Sequence, residues 1–326
     1  MKSQRIFITG ASGCIGHYVV ESLVNATPHE LFLLVRNPDK LQLACGESDR
    51  LHILQGDLHQ IHQFKDLLGT IDTAILTAAA WGDPTETFDI NVTKTIELMR
   101  LLDMDRCQQV IYFSTASILD RQNQPLPQAM TLGTDYIRTK YVCHQQLRSL
   151  KLFPKITTVF PTLVFGGDGQ KPYSHLSGGL GDVMKWMPLI RFFRADGSFH
   201  YVHAQDIATV VTHLVDHPPD PRDSRELVLG NDAIAVNQAI RDICQYLQMA
   251  KPWVQIPVFL QLANIFIVLF RIQMADWDRF CLNYRHFSYQ NPVNPRTFGR
   301  SPLCSNITEL MQASGVKGKV GKIETQ

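Results

Sequence analysis

Three glycines near the N-terminus constrain this chain more than any other feature. The segment Ile8–Gly16 reads I-T-G-A-S-G-C-I-G, between a short apolar run, Arg5–Thr9, and an apolar-periodic stretch from about Cys14 to Val24. A strand that turns straight into a helix at such a triplet needs each glycine for a different reason. Gly10 can take the angles of the tight turn, Gly13 leaves the backbone open to a phosphate, and Gly16 lets the helix approach the sheet. Unpaired N–H groups at the start of the helix then attract an anion. Gly10, Ser12, Gly13, Cys14, Ile15 and Gly16 are therefore candidate contacts for a dinucleotide pyrophosphate.

The pattern that follows supports this reading. Apolar runs at Leu31–Val35, His52–Gln55, Ala74–Thr77, Val110–Ser114 and Thr157–Phe160 alternate with helical patterns at Ile61–Leu68, Phe88–Leu102 and Tyr136–Leu150. Continuous apolar strands separated by helices predict a parallel sheet covered on both faces, the α/β doubly wound Rossmann architecture. After Pro161 the pattern loosens. Gly166–Gly181 carries six glycines and reads as a mobile loop. Phe199–Val215 reads as a strand feeding a helix with Asp206 as its cap, Glu226–Gly230 as a strand, Asn237–Leu247 as a helix, and the tail from Gly315 as frayed. The expected organisation is a dinucleotide-binding domain over 1–165, joined by 199–230, and a smaller C-terminal substrate lobe from 166–198 and 231–326.

Composition excludes little but directs the search. A formal charge of +1 over 326 residues offers no general attraction for nucleic acid. The seven cysteines include no C-x-x-C pair, which fits reduced thiols in a cytoplasmic protein and no metal site. No charged-then-apolar leader opens the chain. The apolar stretch Ile256–Ile272 is interrupted by Gln261 and Asn264 and is short for a span of about 20 residues. It reads as a buried helix of the substrate lobe, with an interfacial helix and a weak membrane-surface contact as the alternative. A homodimer is compatible with the chain.

The second strand ends in Val35-Arg36-Asn37-Pro38-Asp39-Lys40, with no acid to hold a ribose diol. Arg36 offers a planar fork suited to a 2′-phosphate and Lys40 adds charge, so NADP is favoured over NAD. Tyr136 and Lys140 stand one helical turn apart. An ammonium close to a phenol lowers its pKa from about 10, and such a phenol can shuttle a proton to a substrate oxygen. A hydroxyl is needed beside it, and the fifth strand ends in Ser114-Thr115-Ala116-Ser117. Trp81, Tyr173–Gly179 with His175, Trp186 and the pair Tyr201/His203 are candidate pocket residues, with core packing or a solvated loop as their ordinary alternative.

Taken together, these motifs resemble the extended short-chain dehydrogenases of the NAD(P)-dependent epimerase/dehydratase superfamily. The matching pieces are TGASGCIG at Thr9–Gly16, GDL at Gly56–Leu58, Ala78-Ala79, NVTKT at Asn91–Thr95, STAS at Ser114–Ser117, YIRTK at Tyr136–Lys140, PTLVFG at Pro161–Gly166 and YVHAQDIA at Tyr201–Ala208. The resemblance implies that Asp57 and Leu58 lie along adenine, that Ala78 and Ala79 lie near the phosphates and ribose, and that Pro161–Val164 faces the carboxamide. It implies Thr115 as the catalytic hydroxyl, with Ser114 as the alternative, beside Tyr136 and Lys140. Ser114, Tyr136 and Lys140 would also contact the cofactor, and Ser117, Trp81, His175 and Tyr201 the substrate. The expected activity is hydride transfer between NADP(H) and a carbonyl/secondary-alcohol pair. A NAD-retaining sugar epimerase and a non-catalytic NADP sensor or scaffold are the rival readings. Departures bear on the substrate. Ala116 and Ser117 stand where sugar dehydratases carry Asp-Glu, and Phe199 and Phe160 where nucleotide-sugar enzymes carry arginines. Arg191 and Arg194 are the remaining sources of charge. The substrate is therefore expected to be a small carbonyl compound or an apolar alcohol.

Overall fold

The computed structural model describes residues 3–43, 48–220, 225–258 and 274–318. Most of the apolar stretch 256–272, and the tail beyond residue 318, lie outside the described residues, as does Cys45.

The central element is a seven-stranded, all-parallel sheet. Its strands are β1 (Arg5–Thr9), β2 (Glu30–Val35), β3 (Leu51–Gln55), β4 (Thr73–Leu76), β5 (Gln109–Phe113), β6 (Ile156–Pro161) and, after four short strands, β11 (Glu226–Leu229), in the order β11-β6-β5-β4-β1-β2-β3. β1 pairs with β2 on one side, Ile8 opposite Leu33, and with β4 on the other, Ile8 opposite Ile75. The chain order reverses there, which opens a crevice at the carboxyl ends of the strands. Helices α1 (Cys14–Ala26) and α8 (Ala204–Asp216) cover one face through Val19, Leu23, Ile207 and Val211. On the other face lie α2 (Lys65–Leu68), α4 (Thr95–Leu101) and α6 (Asp135–Leu147), through Leu68, Met99 and Leu147.

The short strands belong to the second half of the chain. β7 (Leu163–Phe165) pairs with β10 (Tyr201–His203), and β8 (Phe193–Arg194) with β13 (Ile256–Pro257). β9 (Ser198–Phe199) takes β12 (Ile234–Ala235) and β14 (His286–Phe287) as neighbours. Helix α9 (Val236–Tyr246) packs against the last helix, Ile307–Ala313, around Tyr201 and Leu180.

Three sequence expectations need correction. The glycine-rich loop ends at Ser174, and His175–Ile190 is a helix, α7, that contains Gly178, Gly179 and Gly181. Each glycine costs a helix about 1 kcal/mol. Here Ser174 caps the first turn by accepting from Ser177 N, while Leu180 and Met187, seven residues apart, anchor one face. Phe88–Leu102 is not one regular helix. A short α3 (Pro84–Phe88) passes into a π-turn, Asp89–Lys94, before α4, and Thr95 Oγ1 donates to Ile90 O at 2.8 Å across the wide turn.

Asp206 is not the cap of α8. That position belongs to His203, whose ring accepts from Gln205 N. Asp206, 1% exposed, instead accepts from Leu303 N at 2.6 Å and Cys304 N at 3.3 Å and so holds the C-terminal segment on α8. An amide there keeps one acceptor but sets an N–H₂ against an N–H. We expect Asp206→Asn to lower stability by about 1–3 kcal/mol, read as a shift of the urea midpoint at unchanged slope.

Candidate active site

The phosphate turn has the close packing its glycines require. Gly10 sits at φ +74°, and a Cβ there would lie 2.5 Å from Thr77 Oγ1 and 2.6 Å from Ala78 N. A Cβ on Gly16 would overlap Gly10 O and lie 2.7 Å from Ala11 Cα. Gly13 is the N-cap of α1 with no capping side chain, so the first N–H groups of the helix receive no side-chain acceptor, and its surface is open. Ser12 and Ile15 are half-buried beside it. Cys14 turns inward, where burial pushes its thiol up to about 12, so it is no nucleophile.

At the end of β2, Arg36 is mostly exposed. Its Nε lies 4.0 Å from Asp57 Oδ2, while the other Asp57 oxygen accepts from His59 N at 2.9 Å and pairs with the His59 ring at 2.7 Å. Burial raises the Asp57 pKa, but the His59 hydrogen bonds and the Arg36 charge outweigh it and hold the carboxyl below its ordinary value. Lys40 closes the exposed 3-10 turn Pro38–Lys40. Leu58 is buried against the sheet, with Asp57 capping its turn.

At the carboxyl end of β5 three candidate groups converge. Ser114 is buried and its hydroxyl meets no hydrogen-bond partner among the described residues. Thr115 caps the 3-10 turn Ala116–Ile118 by accepting from Ser117 N at 3.3 Å. From α6, the buried Lys140 ammonium donates to Phe113 O at 2.7 Å. The same nitrogen lies 5.1 Å from the Tyr112 ring centre and 5.9 Å from that of Tyr136.

The expected lowering of the Tyr136 pKa by Lys140 is not what the structure shows. Burial pushes the Tyr136 phenol well above the ordinary tyrosine range, and burial also lowers Lys140 to about 8. Removing both groups from water disfavours both charged forms, and the ammonium is spent on a main-chain carbonyl instead. The phenol is therefore an O–H donor in this state.

Trp81 stacks on Tyr136 with ring centres 3.6 Å apart and planes 11° apart, and His175, the first residue of α7, lies 6.3 Å beyond the indole. The loop bearing Ala78, Ala79 and Trp81 is held by Asn91, a residue that sequence reasoning quoted in a motif without giving it a role. Fully buried in the π-turn, Asn91 accepts from Ala80 N at 2.8 Å and donates to Ala80 O and to Thr139 Oγ1, each at 3.1 Å. It thus ties that loop to α6, one residue from Lys140. Pro161 ends β6, buried, and Val164 is half-buried in β7. Tyr201 does not open toward the site but is buried with Leu180, Cys304 and Ile307. Phe160 is likewise core. The Arg191 guanidinium is engaged by Ala250 O at 2.7 Å and Pro188 O at 3.2 Å.

These residues fit a nicotinamide dinucleotide in three ways. The turn excludes any Cβ at Gly10 and Gly16, the start of α1 lacks a capping side chain, and the buried Ser114 hydroxyl has no partner among the described residues. A parallel sheet with this crevice and this turn defines a dinucleotide-binding α/β protein. The chain belongs to the NAD dependent epimerase/dehydratase family, whose model matches residues 6–230. No curated protein sequence matches it. Among solved structures, the terminal R domain from the myxalamid PKS-NRPS biosynthetic pathway is 16% identical, with 97% of this chain and 91% of that chain covered at a TM-score of 0.68. The UDP-N-acetylglucosamine 4-epimerase from Methanobrevibacter ruminantium M1 is 14% identical, with 97% and 98% covered at 0.64. The dTDP-glucose 4,6-dehydratase from Bacillus anthracis, in complex with NAD, is 13% identical, with 96% of each chain covered at 0.65. At these identities the likeness is one of fold.

Proposed function

We propose that this protein is an NADP(H)-dependent oxidoreductase that interconverts a carbonyl and a secondary alcohol. The observation that carries the reading is the convergence at the end of β5, where Ser114, Thr115 and Lys140 meet within one strand end and the adjoining face of α6. Tyr136 lies on that face. When bound, the nicotinamide supplies or accepts the hydride. Thr115 orients the substrate oxygen. Tyr136, a neutral phenol whose pKa burial raises further, gives that oxygen its proton, the form that carbonyl reduction requires. Lys140 anchors α6 to the strand end through Phe113 O, and its remaining N–H groups would be the donors available to the nicotinamide ribose. Trp81, with His175 beside it, covers one face of the Tyr136 ring and offers an aromatic wall for a planar or apolar substrate. Neither Phe160 nor Arg191 offers a free guanidinium to a diphosphate.

The preference for NADP rests on Arg36. Its guanidinium is exposed at the carboxyl edge of β2, and the nearest acid, Asp57, is already engaged by His59. A charge-assisted hydrogen bond contributes about 1.5–3 kcal/mol. Arg36→Ser should therefore weaken NADP binding about tenfold to a hundredfold, with NAD binding changed by less than about threefold. Calorimetric titration of both dinucleotides reads the difference, and equal losses for the two would remove Arg36 from the 2′-phosphate site. Native mass spectrometry of the purified chain tests the reaction class. Exchangeable NADP and net oxidation of NADPH by added carbonyl compounds are expected. Tightly retained NAD without net turnover would overturn the reading in favour of a transient-oxidation epimerase.

A further inference from the structure

Beside the Arg36–Asp57 pair, one imidazole is surrounded by acids from three elements. His59 stands two residues beyond Asp57, in the turn that follows β3. Its Nδ1 lies 2.7 Å from Asp57 Oδ1. Its Nε2 lies 3.2 Å from Glu86 Oε2 on α3 and 3.3 Å from Asp89 Oδ2 in the π-turn. A neutral imidazole has one N–H and one lone pair, so it would turn that lone pair toward a carboxylate on one side or the other. An imidazolium donates on both sides. The geometry is that of a cation. In keeping with it, the hydrogen bond to Asp57, joined by the charges of Asp57, Glu86 and Asp89, raises the His59 pKa above its ordinary 6.5.

The other basic groups nearby are committed elsewhere. Lys94 Nζ donates to Glu97 at 3.0 Å, with Asp89 as a more distant neighbour, and the His62 ring lies 3.6 Å from the same Glu97 carboxylate. That leaves Arg36, whose Nε stands 4.0 Å from Asp57 Oδ2, as the cation that Asp57 would recruit once His59 lost its proton. Two demands then meet at Arg36. A 2′-phosphate needs the guanidinium fork free, while a bare carboxylate beside that fork competes for it and repels the phosphate.

We infer that His59 is a specificity-determining residue for the dinucleotide: its imidazolium neutralises Asp57 and leaves the Arg36 guanidinium to the 2′-phosphate. The inference rests on the NADP reading given above and makes that preference depend on pH. Because the His59 pKa is raised, the masking is present below pH 6.5 and is lost as pH rises through the raised value. A phosphate monoester takes its second charge near pH 6, which strengthens NADP binding over part of the same range. The native profile therefore mixes two titrations. The share of the imidazole is the difference between the native chain and a variant without it.

Calorimetric titration of NAD and NADP at about pH 6 and about pH 9 reads the preference as a ratio of two dissociation constants, in which contributions from adenine cancel. His59 is exposed, so its replacement leaves the core intact. His59→Gln keeps a donor for Asp57 and removes the charge. At the lower pH it should reduce the preference for NADP about threefold to fivefold. At the higher pH the native chain and the variant should agree. The double variant His59→Gln, Asp57→Asn has no carboxylate left to mask and should return the ratio to its native value at the lower pH. Three results would overturn the inference: a His59→Gln variant with the native ratio at the lower pH, an equal drop at both pH values, or a drop that Asp57→Asn does not repair. Arg36→Ser decides the NADP reading separately, since it should lower the ratio whether or not His59→Gln does, so the failure of either is visible without the other.

Discussion

Tyr136→Phe should lower turnover by about 100- to 10,000-fold while leaving the protein and its dinucleotide affinity nearly unchanged. The substitution removes one oxygen and keeps the ring. The stack with Trp81, at 3.6 Å and 11°, depends on the ring alone. The fold is indifferent to the hydroxyl, since Thr139 Oγ1 holds the main-chain carbonyl of residue 136 and Lys140 is fixed by Phe113 O. What is lost is the phenol O–H, whose pKa burial raises. Stopped-flow oxidation of NADPH with a saturating carbonyl substrate measures the rate, and calorimetry with NADP measures binding. A variant with native turnover would show that another group donates the proton. In that case Ser114, whose hydroxyl lacks a partner among the described residues, becomes the group to replace next. A variant that loses binding and rate together would instead mark Tyr136 as structural.

The parts legible in the sequence are those whose cause is local. The glycine turn was readable because each glycine is required by neighbours a few residues away, as the contacts of Gly16 with Gly10 and Ala11 show. The sheet strands were readable because burial on both faces leaves continuous apolar runs such as Leu31–Val35. What was not legible depends on partners far along the chain. Asp206 looks like a helix cap until Leu303 and Cys304 arrive from 97 and 98 residues away. The π-turn carries Asn91, whose partners at Ala80 and Thr139 lie 11 and 48 residues away. The spacing of Tyr136 and Lys140 was correct for one helical face, but spacing says nothing of solvent. Burial raises the pKa of the phenol and lowers that of the ammonium, and the ammonium reaches a carbonyl on β5 that no local pattern could disclose. The α7 helix was missed because composition counted its glycines and overlooked the anchors at Leu180 and Met187.

Gly16→Val should abolish dinucleotide binding, with an affinity loss of at least about 100-fold, and should also destabilise the fold. The argument is steric and does not depend on which nicotinamide cofactor binds. A Cβ at residue 16 overlaps Gly10 O and approaches Ala11 Cα at 2.7 Å, so both obstacles are backbone and no side chain can rotate away. Relief requires α1 to move off the turn. That helix is pinned on its other side by α8 through Val19, Leu23, Ile207 and Val211, all at most 1% exposed, so it cannot move without disturbing the core. Overpacking of this kind costs about 1–3 kcal/mol, and here the strain falls on the N–H groups that must meet the phosphates. Gly13→Ala is the informative control. A Cβ at residue 13 meets only Gly10 O, at 3.3 Å, so the fold should lose less than about 1 kcal/mol. Its methyl group would nonetheless stand on the open face of the turn, and affinity should fall while the urea midpoint barely moves. If Gly16→Val bound NADP as the native chain does, the crevice at the start of α1 could not be the dinucleotide site, and the roles assigned to Arg36, Ser114 and Lys140 toward that cofactor would fall with it.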